Sequence, residues 1–144
     1  RRLNHHRAEL GHAVIGNAGN GPGNGDGGER LTMFIINTRR YAAQAQRVFE
    51  ALLARWHAHQ KFSRFPLPRL SLRVMRTRWG SLSPRTGMCL NVLLVHFPEE
   101  AIEYVVVHEL CHLYYHGHGK RFYALLEAVL PDWRERKQLL NARG

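Results

Sequence analysis

Apolar positions along the chain fall into periodic blocks separated by turn chemistry. Tyr41, Ala45, Val48, Leu52 and Trp56 recur at steps of three and four, with Phe49 and Leu53 beside them. A 3.6-residue period puts these side chains on one face, so the spacing predicts an amphipathic helix over about 39–59, capped by Thr38. Phe65-Pro66-Leu67-Pro68 then stops helix formation. Leu70, Leu72 and Val74 alternate with Arg69, Ser71 and Arg73, which predicts a half-buried strand continuing towards Trp79. Ser83-Pro84-Arg85-Thr86-Gly87 reads as a turn, and the mostly apolar run 88–95 as a second, more buried strand. The two strands together predict an antiparallel hairpin. Pro98-Glu99-Glu100 reads as a helix start, because proline suits the first turn and carboxylates suit the positive end of the dipole. That helix is expected to run to about Tyr115 and to end at Gly117 and Gly119. A helix over about 120–130 and a short one begun by Pro131-Asp132 complete the pattern, which has no internal repeat.

The N-terminal stretch shows no such periodicity. Eight of the 13 glycines lie in residues 11–28. Glycine at that density carries a large ordering entropy and little to bury, so the segment reads as a flexible linker or long loop. A phosphate-binding glycine loop would need a preceding strand and a closing Gly-Lys-Ser/Thr, and neither is there. The expected organisation is a flexible Gly-rich segment over residues 1–30 and a single folded domain over 31–144, in line with a length of 144 residues. The chain starts Arg1-Arg2 rather than Met, which reads as a fragment or processed product. No apolar run reaches 18 residues, so no membrane span is expected. Cys89 and Cys111 are too few for a disulfide scaffold and read as reduced thiols in a cytoplasmic protein.

The chemistry concentrates in His108-Glu109-Leu110-Cys111-His112, inside the helix that starts at Pro98. Residues four apart lie one turn above each other, so two imidazoles can share one metal ion, and Glu109 sits where a carboxylate can reach a metal-bound water. The chance expectation for one such match in this composition is roughly 0.04. Two surface histidines on a solvated helix would be the plain alternative. Yet Tyr104-Val105-Val106-Val107, Leu110 and Leu113 make the helix apolar, and buried imidazoles and a buried carboxylate need partners. Zinc suits imidazole ligands, and a catalytic zinc takes three protein ligands while keeping one position open. His118 is the first choice for the third ligand, since a chain turning back after Gly117 can bring it beside the first two. Glu127 on the following helix and His116, one turn beyond His112, are the alternatives.

Further stretches carry a family resemblance. Arg78 to Ser81 (RWGS), Leu90-Asn91, Val105 to Leu113 (VVVHELCHL), His118 to Tyr123 (HGKRFY) and Pro131 to Arg136 (PDWRER) occur in order over about 76–140. In these motifs the chain resembles the YgjP-like zinc metallopeptidases, relatives of the SprT-like and yeast Wss-type proteases. The resemblance implies an α+β, small zincin-like fold: an N-terminal helix, a short antiparallel sheet or hairpin, the HExxH helix and C-terminal helices. It also implies His108, His112 and His118 as ligands of one Zn2+ ion, with Glu109 as general base. Three features depart from the family pattern. Leu82 stands where a cysteine is usual, Tyr123 where tryptophan is usual, and Gly-rich sequence replaces a longer N-terminal β-rich region.

The expected activity is therefore zinc-dependent hydrolysis of a protein or peptide substrate, with water activated by the metal and Glu109 taking its proton. Arg78, Trp79, Tyr115 and Tyr123, together with Tyr114 and His116, are candidates to touch substrate or stabilise the oxyanion. A metal-dependent nucleotide phosphohydrolase is a competing reading, but such enzymes usually recruit a carboxylate-rich magnesium site, and residues 31–144 hold only eight acidic side chains. A non-enzymatic zinc-containing nucleic-acid-binding module is the other; it would usually fill four positions, often with cysteine. The formal net charge is +10. Eight Lys or Arg and no Asp or Glu lie between Ala51 and Pro98, so DNA is a candidate partner through basic residues 55–85; Trp79 could stack on a base or line the substrate cleft, with packing in the core the reading preferred for it.

Overall fold

A computed structural model describes residues 40–141, and before them 28–30, 32, 33 and 36. The expected cap at Thr38 and residues 1–27 of the Gly-rich segment lie outside the described residues. Helix α1 spans Ala42–His57 and buries Ala45, Phe49, Leu52 and Leu53; of the other positions in the expected stripe, Val48 and Trp56 are half-buried and Tyr41, just before the helix, is exposed. Three short strands follow, β1 (Leu70–Arg73), β2 (Gly80–Ser83) and β3 (Gly87–Asn91). A 3-10 helix over Val92–His96 leads into α2 (Glu99–Cys111), then α3 (Lys120–Val129) and α4 (Trp133–Asn141). The class is α+β, as expected.

The sheet order is β1-β3-β2. The antiparallel hairpin is present, but its arms are β2 and β3. β1 instead pairs with β3 in parallel, Leu70 opposite Met88 and Arg73 opposite Asn91. The run from Leu70 to Trp79 is thus not one strand. Asn91 explains the break. Its buried side-chain amide donates to the carbonyls of Met75 and Arg78, both at 2.9 Å, while its Oδ1 accepts from Leu93 N–H at 3.0 Å. The chain between β1 and β2 is wrapped around one amide, which turns it back so that β2 runs against β3. The same Asn91 begins the 3-10 helix, so the apolar run 88–95 stops being strand at Asn91.

Helix α2 is the centre of the molecule. Every residue from Ala101 to Cys111 is buried, as expected of a helix apolar on all sides, and α1, α3, α4, β2 and the 3-10 helix all pack on it. Two carboxylates sit among those residues, Glu103 and Glu109. Glu103 is 6% exposed, and its carboxylate pairs with Arg136 Nη1 at 2.8 Å and with Arg55, and accepts from Trp56 Nε1 at 3.1 Å. Arg136 also binds Asp132 Oδ1 at 2.8 Å. This network ties α1, α2 and α4 together, since a buried carboxylate needs charged and polar partners to be tolerated. The helix ends at Cys111, earlier than expected, because His112 to Tyr114 continue as a turn. No helix among the described residues is long and apolar enough to cross a membrane.

Candidate metal centre

The C-terminal end of α2 carries the expected donors. His108 and Glu109 are each 1% exposed, and His112, the residue that closes the helix, is half-buried. Gly117 and Gly119 flank His118 as the chain turns into α3. The nitrogen donors of His108, His112 and His118 all lie within 4.8 Å of one another. Ring centroids are 5.2 Å apart for His108 and His112, 5.1 Å for His108 and His118, and 4.7 Å for His112 and His118. Phe122, on the first turn of α3, packs on all three rings at 4.7–4.9 Å.

The donor set fits a divalent transition metal. Imidazole nitrogens suit zinc in particular. The tautomer of His112 is also settled by its environment. Its Nδ1 lies 2.9 Å from the carbonyl oxygen of Tyr115. A carbonyl only accepts, so Nδ1 carries the hydrogen and Nε2 keeps the lone pair a metal needs. Glu109 borders the cluster, with Oε2 3.5 Å from His108 Nδ1.

Close approach of β2 holds Glu109 from behind. A Cβ on Gly80 would lie 3.0 Å from Val105 Cγ1, 3.2 Å from Leu90 Cδ2 and 3.3 Å from Glu109 Cγ. Glycine there lets the strand sit directly against the helix face that bears Glu109. Two neighbouring groups have raised pKa values. Burial, then the phenol of Tyr123 and the charge of Glu109, push the Tyr104 hydroxyl above its ordinary range. Burial and Glu109 push the Cys111 thiol up to about 12, so it stays a neutral core group.

The other candidates separate clearly. Glu127 is exposed and bound to Arg134 Nη1 at 3.2 Å, outside the histidine cluster. His116 is exposed and lines a cleft beside His112. Tyr123 places its ring 6.4 Å from His118 and 5.3 Å from Trp133. Tyr115 is half-buried and contributes its backbone carbonyl to His112. The Tyr114 hydroxyl donates to the carbonyl of Lys61, and its ring packs edge-on against Phe65 at 4.9 Å. Arg78 is exposed, its carbonyl held by Asn91. Trp79 is 1% exposed and packs against Phe97 at 5.0 Å. That burial leaves no free face for a nucleic-acid base and agrees with the core-packing reading of Trp79 rather than with base stacking.

Sequence reasoning assigned no role to Gly80, Asn91, Glu103 or Phe122. Glu103 had a readable signal, a lone carboxylate between Ile102 and Tyr104 in an apolar helix. Phe122 had none, because its contact with three imidazoles exists only once the chain has turned.

The model of the family described as YgjP-like, metallopeptidase domain, matches residues 34–143. Among solved structures, the crystal structure of the metallopeptidase zymogen of Methanocaldococcus jannaschii jannalysin is similar, with 21% sequence identity and a TM-score of 0.49. The similarity covers 66% of this chain and 90% of that one. No curated protein matches the chain.

Proposed function

The chain belongs to the YgjP-like metallopeptidase family, and from that premise we propose that it is a zinc-dependent peptidase that uses Glu109 as general base. The observation that carries the reading is the meeting of His108, His112 and His118 within 4.8 Å, with the Glu109 carboxylate beside them at a buried helix end. Zinc held by the three imidazoles would supply Lewis-acid polarisation of a scissile carbonyl and acidification of water.

The protein's own groups do the rest. Glu109 takes a proton from the attacking water and hands it to the leaving amine. The Tyr115 carbonyl orients the His112 ring through Nδ1–H, and Phe122 shields the imidazoles from solvent. Tyr123, whose ring lies 6.4 Å from that of His118, is our choice of donor to the developing oxyanion. Strand β2 is an outer strand of the sheet among the described residues, so an extended peptide can add along it and present its carbonyl to the site.

Association with DNA is a separate proposal, carried by how the arginines divide. Arg55, Arg134 and Arg136 are paired with carboxylates. Arg69, Arg73, Arg76, Arg78 and Arg85 are exposed and have no ion pair among the described residues. Such unneutralised guanidinium groups suit phosphate. Binding to duplex DNA should weaken steeply as salt rises, and salt-independent binding would count against it.

The peptidase reading is tested by comparing two hydrolyses with the zinc-loaded chain. It requires peptide release from an unfolded protein and no phosphate release from nucleoside triphosphates. Phosphate release without peptide release would favour the phosphohydrolase reading instead.

A further inference from the structure

Immediately beside the histidine cluster is a cleft of about 130 Å³. Its walls come from both sides of the site: Leu82 and Pro84 from the hairpin, Pro68 from the segment before β1, and Leu113 from the turn after α2. Ser83, His112 and His116 line it as well, so the cleft and the candidate metal centre share the residue His112. No Asp, Glu, Lys or Arg is among its lining residues.

We propose that this cleft is the subsite that receives the substrate side chain next to the scissile bond, and that it selects a medium-sized aliphatic residue (Leu, Ile or Met). The proposal rests on the peptidase reading above and adds to it the specificity. Chemistry of the lining sets the class of occupant. A charged side chain would lose its hydration there without gaining an opposite charge, whereas an apolar one is favoured by the four apolar walls. Volume sets the size. A dry apolar cavity of roughly 150 Å³ holds one benzene, so about 130 Å³ accepts a four-carbon branch more readily than an aromatic ring. Position sets the register, because a side chain in contact with His112 belongs to a residue whose backbone lies at the metal. Leu82 is the residue that adjusts the size, as it is half-buried on β2 and reaches the cleft from the strand along which the peptide would run.

The test is digestion of a peptide mixture of varied sequence by the zinc-loaded full chain, with cleavage sites read by mass spectrometry. Wild type, Leu82→Ala, Leu82→Phe and Glu109→Gln are run in parallel. The expected result is Leu, Ile or Met at one fixed position next to the cut, preferred over Gly, Asp and Lys by roughly 10–200-fold in kcat/KM. Leu82→Ala should move the preference at that same position towards Phe and Tyr, and Leu82→Phe towards Ala and Val. Circular dichroism checks that each variant is folded; if one is not, the other still tests the direction of the shift. Cleavage that depends on Glu109 but shows no preference at any adjacent position, or a preference that neither variant moves, overturns the subsite while leaving the peptidase reading intact. Cleavage absent from wild type, or equal in wild type and Glu109→Gln, overturns that reading and the subsite with it.

Discussion

Replacing Gly80 by alanine tests the contact between the sheet and the helix that carries Glu109. The added Cβ would meet Val105 Cγ1 at 3.0 Å, Leu90 Cδ2 at 3.2 Å and Glu109 Cγ at 3.3 Å. None can move away easily. Val105 and Leu90 are fully buried and Glu109 nearly so, and the branched Val105 side chain has few rotamers open to it in a helix. Overpacking of this kind destabilises by about 1–3 kcal/mol. Against it stands the gain of about 0.4–1 kcal/mol from the smaller conformational freedom of alanine in the unfolded chain. That gain is fully available because Gly80 does not have positive φ. The net expectation is a loss of about 1–2 kcal/mol, equivalent to a Tm lower by roughly 5–15 °C. Urea unfolding followed by circular dichroism measures it. Gly117→Ala is the control: a Cβ there meets nothing within 4 Å, so its stability should be unchanged or up to about 1 kcal/mol higher. Equal or greater stability of Gly80→Ala would refute the close-approach account.

Three further outcomes follow from the packing and the site. Asn91→Ala removes three hydrogen bonds, two of them to the carbonyls of Met75 and Arg78, so it should lose about 2–4 kcal/mol in urea unfolding; a loss under about 0.5 kcal/mol would mean that the turn between β1 and β2 does not depend on it. Arg136→Met leaves the Glu103 carboxylate with Arg55 and Trp56 only, and should lose about 2–4 kcal/mol at neutral pH. Calorimetric zinc titration should show His118→Ala weakened by at least roughly 100-fold and Glu127→Ala unchanged; the reverse order would move the third ligand to α3.

The parts of the molecule that could be read from the sequence are those set by local spacing. His108, Glu109 and His112 share a helix end because four residues make about one turn, and the stripe of α1 follows from the same period. The placement of His118 needed the return at Gly117 and Gly119, which glycine permits but does not dictate. Strand direction could not be read. Alternation of Leu70 and Leu72 with Ser71 and Arg73 is identical for a parallel or antiparallel partner, and what decides is an amide at Asn91, 16 residues from Met75. Glu103 shows the same limit, since its partners Trp56 and Arg136 lie 47 and 33 residues away. Trp79, in contrast, was open to stacking, cleft lining or core packing, and the fold encloses it against Phe97.

The central claim is that the three imidazoles hold zinc while Glu109 moves the proton, and Glu109→Gln separates the two roles with little change in shape. Zinc content per chain and the rate of peptide hydrolysis are measured together on wild type and variant. The account predicts one zinc per chain in both, with turnover of the variant lower by at least about 100-fold. Equal turnover in the two proteins, or no zinc retained by wild type, would contradict it.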